Sequence, residues 1–193
     1  MEEKEHSTNL IAHDFPGHIR VFTDGTIHRL TGTDVVPPST DPHSVVSSKD
    51  ITLHTHSNII PARLYLPTAT TTTTFPLLIY FHGGGFCCSS PFSTTYHNYL
   101  TVVVADAKVL AVSVSYRLAP EHPLPAAYED SWAALQWVAS HRSNNGLEPW
   151  LNNHADFSRV FLARDNAGAN IAHNLAMFAG DSDSGLEMDH QLG

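Results

Sequence analysis

Five consecutive apolar residues, Leu77-Leu78-Ile79-Tyr80-Phe81, run directly into His82-Gly83-Gly84-Gly85-Phe86. An unbroken apolar run of this length reads as a β-strand covered on both faces, as in a sheet with helices packed on each side. Glycines straight after such a strand let the backbone turn tightly and bare its N–H groups to a cavity. Donors of that kind can hold the oxyanion of an acyl-transfer transition state. An H-G-G-G stretch after a strand is the form that oxyanion-binding loops take in ester hydrolases, whereas a phosphate loop would carry a lysine in the P-loop pattern, which is missing here.

The flanking sequence fits that placement. Ile19-Arg20-Val21-Phe22 enters the turn Thr23-Asp24-Gly25 as a short strand, after a polar N-terminal arm over residues 1–18. Residues 31–47 read as a loop. Lys49 to His54 and Ile60 to Leu66 alternate apolar and polar residues, the pattern of an antiparallel pair at a sheet edge. The threonine run Thr68 to Thr74 is low in complexity and reads as a solvated loop. Beyond the glycines, helices are expected over Tyr96–Ala107, Ala126–His141 and Asn166–Phe178. The last should bury Ile171, Leu175 and Phe178 on one side. Buried strands are expected at Val109–Val114 and Arg159–Ala163. Alternating strands and helices specify an α/β fold with a mostly parallel central sheet and an antiparallel N-terminal edge. The organisation expected is the arm, one domain over 19–178 and a polar tail over 179–193.

Composition excludes several classes of function. The formal net charge is −9, which opposes binding to nucleic acid or to anionic membrane surfaces. No apolar run reaches the ~20 residues that a membrane span requires. Met1 to Leu10 is acidic and polar, unlike a secretory signal. Cys87 and Cys88 are neighbours, so no disulfide framework is expected and a cytoplasmic location is the default. Fourteen histidines raise the question of a metal. None sits in H-E-x-x-H or in a finger spacing. His54-Thr55-His56 can place two rings on one face of a strand, but scattered surface imidazoles are the simpler reading. No metal and no cofactor are expected.

Between the Arg159–Ala163 strand and the following helix lies Arg164-Asp165-Asn166-Ala167-Gly168. This is the place of a strand-to-helix nucleophile elbow, G-x-S-x-G. The second glycine is present as Gly168. Arginine stands in place of the first, and asparagine in place of the serine.

With these segments the chain resembles the plant carboxylesterases of the hormone-sensitive-lipase group, α/β hydrolases that include 2-hydroxyisoflavanone dehydratases and the gibberellin receptors. The resemblance covers most of residues 11–178. It rests on Ile19 to Asp34, on Tyr80 to Phe86, on Ser115-Tyr116-Arg117-Leu118-Ala119-Pro120-Glu121-His122-Pro123 through Asp130, and on the elbow. It implies hydrolysis of short-chain or small-molecule carboxylic esters, with an ester or a hydrophobic ligand as partner. It leaves any protein partner unknown. The N–H groups of Gly83, Gly84 and Ala167 would hold the oxyanion. His82, Gly85, Asp165 and Gly168 complete the motifs, and position 166 supplies the nucleophile.

The departures count against that activity. An asparagine has no hydroxyl to activate, and its amide nitrogen is a poor nucleophile. The family places its acid and histidine after the nucleophile. Asp181, Asp183, Asp189 and His190 follow too closely on the elbow helix to return to it, so the chain reads as a truncated member and a pseudoenzyme. Asn166 tolerates the positive φ of an elbow, whereas Arg164 is expected to crowd it. The Arg159–Ala163 strand is expected to be an open sheet edge. A binding protein of gibberellin-receptor type, a dehydratase (which needs a hydroxyl at position 166) and a non-functional fragment are the alternatives.

Overall fold

The computed structural model describes residues 10–39, 41, 43–55, 58–68 and 74–180. Three short strands, β1 (Ile11–Phe15), β2 (Ile19–Phe22) and β3 (Ile27–Arg29), form an antiparallel sheet of their own. The expected arm therefore contributes a strand, its Ile11–Phe15 segment paired to β2. A strand with every residue exposed, Ile11 and Phe15 included, leaves no burial pattern to read.

The main sheet contains β4 (Val46–His54), β5 (Ile59–Pro67), β6 (Phe75–Phe81), β7 (Leu110–Val114) and β8 (Ala155–Arg164), in the order β4-β5-β7-β6-β8. It is mixed. β6 pairs in parallel with β7 and β8, whereas β4 and β5 form the antiparallel edge that their alternation specified. The apolar run of β6 is buried along nearly its whole length, as a strand between two neighbours with both faces covered must be. The helices are α1 (Thr94–Ala107), α2 (Ala126–Ala139), α3 (Pro149–His154) and α4 (Ala167–Ala179). The first packs Tyr96, Leu100 and Val104 on one face of the sheet, and α2 and α4 close the other.

Two details differ from the periodicity reading. Strand β8 is not buried on both faces: Val160 is buried, but Phe161 is 39% exposed. The reason is position, because among the described residues β8 pairs only with β6, at the edge position expected for it. In α4 the buried face is Ile171, Ala172 and Leu175, whereas Phe178 is 59% exposed and touches Trp132 with ring centroids 6.1 Å apart. The six-residue α3 had no sequence signal beyond Pro149 at its first position, and it is capped by the Glu148 carboxylate accepting from the Trp150 N–H.

Candidate functional site

Parallel strands β6 and β8 end side by side, with Phe81 opposite Arg164. The chain leaves β6 as His82-Gly83-Gly84-Gly85 and leaves β8 as Asp165-Asn166-Ala167. The glycine loop and the elbow are therefore neighbours because of sheet register. Gly84 has φ +107, and a Cβ there would lie 2.2 Å from the Cys88 carbonyl oxygen, so no other residue fits the turn. Gly168 answers a different need. A Cβ on it would lie 2.0 Å from the Phe81 carbonyl oxygen, because α4 starts directly against the end of β6.

Asn166 adopts φ 46 and ψ −113, and it is the residue before the first turn of α4. A left-handed φ is uncommon outside glycine, and asparagine is among the residues that tolerate it best. Its side-chain oxygen accepts from two backbone donors, the Ala167 N–H at 2.7 Å and the Gly85 N–H at 3.2 Å. The two N–H groups that converge at the elbow are thus those of Gly85 and Ala167. The Gly83 N–H is directed elsewhere, to the Tyr96 hydroxyl at 2.8 Å, so Gly83 does not present its donor to position 166. Gly85, read as part of the motif, donates to the Asn166 side chain.

Tyr96 lies between the two segments. Its oxygen accepts from Gly83, and its hydroxyl donates to Asp165 Oδ2 at 3.0 Å. Burial pushes its pKa up to about 12, so the proton that Asp165 receives stays on Tyr96 at neutral pH. Asp165 is oriented by this bond and not by Arg164. Arg164 itself is solvent-exposed at the end of β8, so the expected crowding does not occur. Open solvent on the edge strand accommodates the guanidinium.

Behind the glycines, the buried His82 places Nδ1 2.7 Å from the Gly83 carbonyl oxygen, which only accepts and so fixes the Nδ1–H tautomer. Desolvation lowers its pKa to about 4, and the ring is neutral. Tyr116 stacks on it at 4.3 Å between centroids and donates to the His82 carbonyl oxygen at 2.6 Å. His82 is thus part of the loop's foundation and faces no reacting group.

The loop is also latched from outside. Arg29 of β3 donates from Nε to the Cys87 carbonyl oxygen at 2.6 Å and from Nη2 to the Ala119 carbonyl oxygen at 3.0 Å. It also pairs with both oxygens of Glu121, at 2.7 and 2.5 Å. Arg117 donates from its backbone and Nε to the buried Asp130 carboxylate, at 2.9 and 2.8 Å. Residues of the Ser115–Asp130 segment, on which the resemblance partly rests, thereby frame the glycine loop. Tyr96 and Arg29 had no distinguishing sequence signal of their own.

Other features lie apart from this site. An apolar groove of about 560 Å³ between α2 and α4 is lined by Pro125, Tyr128, Trp132, Leu175 and Phe178, none of them in the glycine loop or the elbow. Among the described residues no three His, Cys, Asp or Glu side chains cluster to hold a metal ion. His56, of the paired histidines, lies outside those residues, as do Asp181, Asp183, Asp189 and His190. Among the described residues no helix is long and apolar enough to cross a membrane.

Comparison with known proteins gives a consistent set of relatives. The family model described as alpha/beta hydrolase fold matches residues 78–192. A probable carboxylesterase 4, mitochondrial, of Arabidopsis thaliana is 52% identical over 179 residues, covering 91% of this chain and 48% of that protein. A 2-hydroxyisoflavanone dehydratase of Glycyrrhiza echinata is 50% identical, covering 88% of this chain and 53% of that protein. Among solved structures, the esterase LipW from Mycobacterium marinum is 32% identical with a TM-score of 0.60, covering 72% of this chain and 41% of that one. The chain spans about half the length of the curated relatives it matches.

Proposed function

The chain belongs to the alpha/beta-hydrolase fold family, as a member related to plant carboxylesterases, and on that premise we propose that it is a carboxylesterase-type domain with an intact oxyanion loop and no competent nucleophile. The observation that carries this reading is Asn166, seated at the elbow with φ 46 and ψ −113. The backbone there has the shape that presents a nucleophile at a strand-to-helix turn. The side chain on it is a carboxamide. It has no hydroxyl for a base to deprotonate, and its nitrogen lone pair is delocalised into the carbonyl, so no acyl-enzyme forms by the usual route. Loss of a triad serine leaves ~10³–10⁴-fold acceleration over water from the oxyanion hole and binding. That is far short of the 10⁶-fold and more of working enzymes. The reading rests on position 166 and is independent of any polypeptide that follows position 193.

The ligands assigned to it are short-chain or small-molecule carboxylic esters, in keeping with the name carboxylesterase that the plant relatives carry. A second reading, binding of a small acidic ligand without turnover, draws on free donors at the elbow, and those of Gly85 and Ala167 are engaged by Asn166. The free thiols Cys87 and Cys88 support a reducing compartment, and the cytoplasm is proposed, with fractionation of tagged protein as the test. Hydrolysis of p-nitrophenyl butyrate by the purified chain tests the main reading. No turnover above buffer and heat-denatured protein is expected. Turnover clearly above both would overturn it and point to a different nucleophile.

A further inference from the structure

Resting on that reading, we infer that the Asn166 carboxamide is a built-in ligand of the backbone donors of Gly85 and Ala167 at the elbow, seated where a carbonyl or carboxylate oxygen would bind them and excluding such groups from the site. Its oxygen has two lone pairs, and each receives a backbone N–H, from Ala167 at 2.7 Å and from Gly85 at 3.2 Å. Only the oxygen end of the amide can accept these bonds. The oxygen also sits at the N-terminus of the 13-residue α4, where the helix dipole favours partial negative charge. These are the features that hold an oxyanion during acyl transfer, here satisfied from within the chain.

An ordinary helix cap does not account for the arrangement. A cap satisfies N–H groups of its own helix. The bond from Gly85 comes from a loop 81 positions away in sequence, and it joins the two segments that an oxyanion hole requires. Tethering strengthens the exclusion. A side chain one residue from the Ala167 donor competes at the high effective concentration of an intramolecular ligand, millimolar or above even for flexible tethers. A free carboxylate must displace it and recover the same two hydrogen bonds.

The amide resonances of Gly85 and Ala167 in the ¹⁵N-labelled full chain report this directly, with sodium butyrate as the probe. Asn166→Gly removes the acceptor and suits the positive φ. Its Gly85 amide proton is expected to move upfield, and butyrate should then shift both resonances saturably. Half-saturation should lie about tenfold or more below that of the unmodified chain, because the carboxamide's two hydrogen bonds no longer have to be displaced. Asn166→Asp keeps an acceptor, so its Gly85 proton should move downfield and butyrate should still be excluded. Should Asn166→Gly lose spectral dispersion, Asn166→Ala carries the same expectation. Equal butyrate binding by the unmodified chain and the glycine variant, or a Gly85 resonance unmoved by the substitution, would overturn the inference. Ester turnover by the unmodified chain would instead overturn the functional proposal, so the two failures are distinguishable.

Discussion

The glycine loop and the elbow meet at one point and have been treated differently by the sequence. The loop retains every element that its geometry requires: Gly84 in its left-handed turn, a neutral His82 beneath it, Tyr116 stacked on that ring, and Arg29 latched to Cys87 and Ala119. The elbow has lost two of its three motif residues yet keeps its shape, with Asn166 at φ 46 and α4 starting in place. The difference teaches where the shape of an elbow comes from. Gly168 packed on the end of β6, together with the β6–β8 register, sets the backbone, and the residue at position 166 occupies a conformation imposed by its surroundings. Chemistry and geometry at this turn are separable.

That separation predicts a large cost for the glycine that remains and a small one for the residues already changed. Gly168→Ala drives a Cβ to 2.0 Å from the Phe81 carbonyl oxygen, a backbone atom that cannot yield without shifting β6. We expect a loss of about 3 kcal/mol, the upper end for overpacking, read from the urea midpoint with the slope unchanged. A loss below about 0.5 kcal/mol, the level of an ordinary surface substitution, would mean that the elbow is shaped by something else.

The loop offers the next largest effect, through pH. The folded pKa of His82 is depressed to about 4 from the ordinary histidine value by burial. The unfolded chain therefore takes up a proton first as pH falls. The stability due to the neutral ring is complete above the unfolded pKa and is lost progressively as pH drops towards the folded one. His97, also lowered by burial, acts with the same sign. Denaturation at pH 7 and pH 4.5 should differ by about 2 kcal/mol from His82 alone, at 1.36 kcal/mol per pKa unit. His82→Gln, neutral throughout, should flatten that slope while lowering stability at pH 7. An unchanged slope in the variant would show that His82 is not the group responsible.

Much of the fold was legible because burial writes itself into sequence. The apolar run of β6, the alternation in β4 and β5 and the spacing of Ile171 and Leu175 each follow from a face that must avoid water. Strand β1, exposed at every position, and the half-exposed face of β8 lack that signature. At the site, the glycines and position 166 were readable from motif chemistry. The bond of the Gly83 N–H to Tyr96 was not, because it depends on where that hydroxyl lies. Arg164 was read as a steric problem because the direction its side chain takes at the end of β8 is a tertiary fact.

Tyr96 is also where the comparison can be sharpened most finely, because one oxygen serves both segments. Tyr96→Phe removes the acceptor for the Gly83 N–H and the donor to Asp165 while leaving the ring in its place against Tyr80 and His82. Asp165 is exposed and exchanges the lost bond for water. Gly83 cannot do so as readily, since its donor and the hydroxyl meet in a buried setting. The cost should fall mainly on the loop, at about 1–2 kcal/mol for one buried donor left unpaired. Amide exchange at Gly83 should accelerate, while that of the first turn of α4 stays as it was. Equal acceleration on both sides would mean that the loop and the elbow open as one unit, and that the separation between a retained loop and an altered elbow ends at the chemistry and does not extend to their motions.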